Sequence, residues 1–212
     1  MAMTMGLSLV ACGSSDTAAS TDAAAETTEA ADTADTAEET EVPSAGGSYT
    51  IGICQLVQHE ALDAATQGFK DAIVEALGED AVTFDEQNAQ GDSNTCATII
   101  NGFVAEDADL ILANATAALQ AAQAGTSEIP ILGTSVTEYG VALGIDDFDG
   151  TVGGNISGTS DLAPLTEQAA MLNELFPDAK NVGLLYCTAE ANSQYQVDEV
   201  QKALEGMGYT CK

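Results

Sequence analysis

The chain has no arginine, no tryptophan and one histidine, His59, and it sets only four lysines against 34 acids in 212 residues. A net charge of −30 repels phosphate backbones and excludes nucleic acid as a partner. It is equally unsuited to lying flat on anionic lipid, and solubility accounts for most of it. A single histidine without Cys or His neighbours at ligand spacing is a poor zinc ligand. There is no G-x-x-x-x-G-K-[ST] phosphate loop, and no serine sits in a G-x-S-x-G elbow. Gly150, Gly153 and Gly154 do not form a G-x-G-x-x-G fingerprint. Asp146, Asp147 and Asp149 fall short of a calcium loop, because Ile145 and Ile156 stand where ligands are required. Acid pairs such as Glu60 and Asp63 suit acid–base work, but on so acidic a chain they are ordinarily a solvated helix face. The five cysteines contain no C-x-x-C pair and spell out no disulfide framework. Cys54 and Cys96 lie in apolar stretches and read as small core residues.

The short apolar run at 3–11 cannot span a bilayer as a helix. It closes on Leu9, Val10, Ala11 and Cys12, followed by Gly13, Ser14 and Ser15. Small residues ending at a Cys resemble a bacterial lipobox, in which the leader is cut before a Cys that carries lipid. Residues 1–12 are therefore expected to be a lipoprotein signal segment, with Cys12 lipidated and the protein held outside the cytoplasm. No Lys or Arg precedes Cys12, so the leader is expected to lack its start. Residues 13–47 are built mainly of Ala, Thr, Ser, Asp and Glu with no aromatic residue, and they carry nine acids. Such a stretch cannot bury enough apolar area to offset the entropy of ordering, and like charges stretch it. It reads as a disordered acidic linker.

From Tyr49 onward strand and helix alternate. Strands are expected at 49–54, 81–84, 110–113 and 129–133, and 141–145 is a fifth apolar run. Helices are expected at 60–77, 92–106 and 115–124. In the first of these helices Leu62, Ala65, Phe69, Ile73, Ala76 and Leu77 recur at three- and four-residue intervals. This rhythm implies parallel βαβ units with helices on both faces of one sheet. Ligands of such sheets bind at the carboxyl ends of the strands, here the polar loops 55–59, 114–116 and 134–138. After Gly153 and Gly154 the rhythm restarts, with a helix at 164–176, a strand at 181–186, a helix at 192–207 and a strand from 209. Gly52 and Gly183 fall inside the first strand of each half, which points to two similar lobes at 48–156 and 157–212. A lone βα unit cannot close a core, so the second lobe is expected to be incomplete at Lys212.

The segment I-G-I-C-Q-L-V-Q-H-E-A-L-D (51–63) resembles the opening of the ABC-transporter substrate-binding lipoproteins, a family that includes tryptophan- and tyrosine-binding members. G-F-K-D (68–71), N-A-Q-G-D (88–92) and the segments 113–116, 129–131, 134–137, 154–161 and 190–193 continue the likeness. Glu60 stands where the family usually has Pro, and Glu138 where it often has Asp. The resemblance implies an α/β periplasmic-binding-protein-like fold of two Rossmann-like lobes with parallel sheets. It implies no cofactor and no catalysis. The partners it implies are a small amino-acid-like ligand, of aromatic type by preference, and an ABC permease. Mapped onto this chain, it places Gln55, His59, Thr116, Thr134, Ser135 and Thr137 at the ligand from the first lobe. Ser160 and Asp161 lie in the crossing segment, with Asp161 facing an ammonium group, and Glu190, Asn192 and Ser193 come from the second lobe. Each has a plainer reading. Asp161 suits an N-cap for the next helix, Thr134 and Ser135 suit ordinary strand ends, His59 suits loop shaping, and Asn192 and Ser193 suit a helix cap. An extracellular sensor of the same fold, or less readily an α/β enzyme, is the alternative function.

Overall fold

A computed structural model describes residues 48–212, all within one compact unit. The lipobox Cys12 and the linker at 13–47 lie outside the described residues. Five strands form one sheet: β1 (Tyr49–Gln55), β2 (Val82–Asn88), β3 (Leu110–Asn114), β4 (Ile131–Val136) and β5 (Ile156–Ser160). All neighbours pair parallel, in the order β2-β1-β3-β4-β5. The connections are α1 (Glu60–Leu77), α2 (Ser93–Ala105), α3 (Thr116–Gly125) and the short α4 (Tyr139–Leu143), with a 3₁₀ turn at Glu79–Ala81. Helices lie on both faces, as a parallel sheet requires. Phe69 and Ile73 of α1 pack on Ile51, Ile53 and Leu112, while α2, α3 and α4 build the larger cluster around Ile100, Phe103 and Leu119.

The core explains one strand residue directly. A Cβ at Gly52 would lie 2.5 Å from the ring of the fully buried Phe103, so only glycine lets α2 sit this close to β1. Cys54 and Cys96 are wholly buried in the same cluster. A hydrogen bond shared with Cys96, reinforced by burial, pushes the Cys54 thiol up and holds it neutral.

Three expectations need correction. The apolar run at 141–145 is not a strand but belongs mainly to α4, whose first turn is capped by Glu138 accepting from the amides of Gly140 (2.9 Å) and Val141 (2.6 Å). The fifth strand is instead the polar I-S-G-T-S of β5, an edge strand with little apolar signal. β5 pairs with β4, so the chain leaves the first sheet after Ser160 rather than at 156/157, and the segment expected to cross between lobes is itself strand. β2 also extends to Asn88, four residues past its expected end.

The second half holds α5 (Leu165–Leu175), β6 (Asn181–Val182), α6 (Ala191–Gly206) and β7 (Thr210–Cys211). β6 and β7 form a parallel two-stranded sheet, packed with Ala169, Leu204 and Tyr209 in a small cluster. Gly183 lies just past the end of β6 rather than inside it, and a Cβ there would meet nothing within 4 Å, so it is not the counterpart of Gly52.

Candidate functional site

The connection from β1 to β2 runs to one side of the sheet, and β3 lies on the other side of β1. The strand order therefore reverses between β1 and β3, and a crevice opens at their carboxyl ends. A cleft of about 170 Å³ sits there, lined by Leu56 after β1, Gly91 and Ser93 after β2, Ala115–Ala117 after β3 and Ser135 in β4. Glu190 and Asn192, at the start of α6, close it from the second half.

The α3 end of this cleft is a cluster of open backbone donors. Its first intrahelical bond is Leu119 N to Ala115 O (3.0 Å), so the amides of Thr116, Ala117 and Ala118 precede it. Ala115 occupies the N-cap position at φ 96° and offers no side-chain bond. That left-handed conformation is costly for a residue with a Cβ, and Ser135 beside it has φ 54°. An uncapped helix start carries partial positive charge. Glu190 also lines the cleft, so an acidic residue and open amides share it.

Four expected residues meet at this cleft: Thr116, Ser135, Glu190 and Asn192. The others lie elsewhere. Gln55 is buried and turned inward. Its Nε2 donates to Val57 O (3.0 Å) and Asp63 Oδ1 (2.6 Å), and its Oε1 accepts from Thr66 Oγ1 (2.7 Å). Asn114 Nδ2 joins this network through Thr66 Oγ1 (3.0 Å) and Leu62 O (2.8 Å). Gln55 therefore supports the loop and the start of α1 rather than lining the cleft. His59 does not line the cleft; it caps α1, with Nδ1 accepting from Ala61 N (3.2 Å). Thr137 is buried, and its carbonyl accepts from Ser160 Oγ (2.8 Å). Thr134 accepts from the Ala115 amide through its carbonyl (3.0 Å) and lines a separate groove beside α1. Ser193 Oγ accepts from Cys187 N (3.0 Å), which ties off the loop before α6. Asp161 does not cap α5, whose N-cap position is Pro164, with no side-chain cap. It lies exposed just beyond the end of β5, at the same edge of the sheet.

Sequence reasoning missed Ser93, Gly91 and Ala115. Ser93 and Gly91 flank the Asp92 cap in N-A-Q-G-D-S, so the motif marked their position without marking a contact. Ala115 left no sequence signal, because only its backbone is unusual. A larger hollow of about 550 Å³ lies against β5 between Glu138 and Leu162. It is away from the switch point and from the open donors of α3, so the smaller cleft is the better site. Among the described residues, no three His, Cys, Asp or Glu side chains come together to hold a metal ion.

Residues 50–211 match the sequence profile of ABC transporter substrate binding proteins. The chain belongs to that family. The chain is 41% identical over 152 residues to a tyrosine-binding protein of Clostridioides difficile, a match covering 71% of this chain and 44% of the relative. It is also similar to the solved ABC domain in complex with L-Trp from Streptococcus pneumonia, at 32% identity and a TM-score of 0.73 over 78% of this chain and 56% of that one. A leucine-binding protein from Thermotoga maritima, at 14% identity and a TM-score of 0.60 over 78% of this chain and 47% of that one, shares the fold alone. The fold is the periplasmic-binding-protein type I fold. The chain spans about half the length of these relatives.

Proposed function

We propose that this protein binds a free amino acid in the β1/β3 cleft and delivers it to an ABC permease without altering it chemically. The observation that carries the reading is the uncapped start of α3. Its open amides, with the Ser135 hydroxyl nearby, suit a carboxylate, while Glu190 and Asn192 approach from the second half. Asp161, at the same sheet edge, is the further partner assigned to the ammonium group. A ligand touching both halves binds the closed arrangement better than the open one, and closure is the signal a permease reads. An aromatic side chain is favoured by the two relatives named for tyrosine and L-Trp. No described aromatic ring lines the cleft. The lipidated Cys12 and the acidic linker would hold the protein outside the cytoplasm within reach of the membrane. No described helix is long and apolar enough to cross it.

Thermal denaturation with each L-amino acid tests this. Binding to the folded state alone raises stability by about 2.7 kcal/mol at a hundredfold excess over Kd. A panel containing L-tyrosine, L-tryptophan and L-leucine with no stabilising member rejects the reading. Asp161→Ala should weaken the binding ligand by roughly 2–4 kcal/mol by titration calorimetry, and unchanged affinity removes Asp161 from the site. Cys12→Ser should release the protein from membranes.

A further inference from the structure

Gly133 of β4 and Gly158 of β5 are direct partners in the parallel ladder. A Cβ on either one would collide with the hydroxyl of Tyr139, and one on Gly133 would also lie 3.2 Å from ring atoms Cε1 and Cζ. A Cβ on Gly158 would further strike the Gly133 backbone. The glycine pair thus forms a slot between two strands that the ring of Tyr139 fills. Tyr139 is buried, and its hydroxyl donates to Thr159 O at 3.2 Å. The phenol is pushed up to about 12, first by burial and then by the nearby Asp161 carboxylate.

The slot coincides with an irregularity. The β4–β5 register shifts between Gly133 and Val136, and Ser135 within the shift has φ 54°. Past the shift the chain is held by few bonds: Asp161 N to Val136 O (3.0 Å) and Ser160 Oγ to Thr137 O (2.8 Å). An edge strand with this little pairing needs another constraint to hold one position. Tyr139 supplies it from the first turn of α4, which Glu138 anchors.

We propose that Tyr139 is the positioning residue of the crossover. Seated in the Gly133–Gly158 slot and bonded to Thr159 O, it fixes Ser160 and Asp161 against the end of β4. Its consequence for ligand affinity rests on the proposed role of Asp161 as the ammonium partner. The position of the crossover itself does not depend on that role.

The test compares wild type with Tyr139→Phe in the full chain, which keeps the ring and removes the hydroxyl. Hydrogen exchange followed by NMR should show the Asp161 amide exchanging roughly 5- to 10-fold faster, with the β1 and β3 amides unchanged. Equal exchange at Asp161 in the two proteins overturns the proposal. In titrations, Tyr139→Phe should weaken L-tyrosine several-fold and leave its des-amino analogue, 3-(4-hydroxyphenyl)propionate, unaffected. Equal weakening of both overturns the consequence for the ammonium group and leaves the exchange result to decide the positioning role. A wild type that binds neither compound rules out tyrosine as the ligand, and the exchange result then decides the role of Tyr139 by itself. Gly133→Ala supplies a second variant. It should cost more stability in wild type than in the Tyr139→Phe background, whereas additive costs contradict the seat.

Discussion

The two halves share one βα rhythm and differ in what that rhythm buries. The first half closes five parallel strands between helices on both faces, with Ile53, Ile100, Phe103 and Leu119 fully enclosed. The second pairs two strands of two residues each and encloses little beyond Ala169, Leu204 and Tyr209. Its Leu185 is 100% exposed, and Leu175 and Phe176 are more than half exposed. The same periodicity thus goes with very different amounts of buried apolar area. The decisive quantity is the apolar area that several strands hide together. The candidate cleft lies where the two kinds of half meet, with rigid strand ends on one wall and a lightly packed helix start on the other.

The sharpest break in this comparison comes from paired core truncations. Phe103→Ala should cost about 3–5 kcal/mol in denaturant unfolding of the full chain. Leu204→Ala, equally buried, should accelerate amide exchange across α5, α6 and β7 while leaving β1 and β3 protected. Equal loss of protection in β1 and β3 shows the halves to be one cooperative unit and removes the distinction.

The next effect is alkaline. The Tyr139 phenol is raised in the folded protein from 10.0 to about 12, so the folded state holds its proton longer than the unfolded chain does. The stability this represents is complete below pH 10 and is lost as pH rises toward 12, by up to about 2–3 kcal/mol. Tyr139→Phe should flatten that part of the stability curve. An unchanged slope places the alkaline loss elsewhere.

Thr66→Val should cost about 1–3 kcal/mol, because it leaves Gln55 Oε1 and Asn114 Nδ2 short of a partner in the first half. A cost near zero shows that the network beneath the cleft is not what holds the β1 loop.

Much of the first half was legible because its central strands are apolar and its long helices are amphipathic. β1, β3 and β4 with α1 to α3 lie close to where periodicity placed them. The edges were not legible. β5 carries one apolar residue in five and the far end of β2 is D-E-Q-N, since an edge strand is covered by one neighbour only. The short α4 looked like a strand because four of its five residues are buried, which erases the amphipathic period. At the site, strand-end position located Thr116 and Ser135. It could not show that Gln55 turns inward to Asp63 and Thr66, which depends on side-chain packing across 11 residues of chain. The open donors of α3 follow from an N-cap residue, Ala115, whose side chain cannot accept a bond, and its positive φ leaves no mark in the sequence.

The most direct test of the account is backbone amide NMR of the full chain titrated with L-tyrosine. The largest shifts should fall on Thr116, Ala117 and Ser135, with Asn192 following from the second half. Shifts centred instead on the hollow between Phe148 and Ile156, or no shifts at all, would contradict ligand binding at the point where the strand order turns.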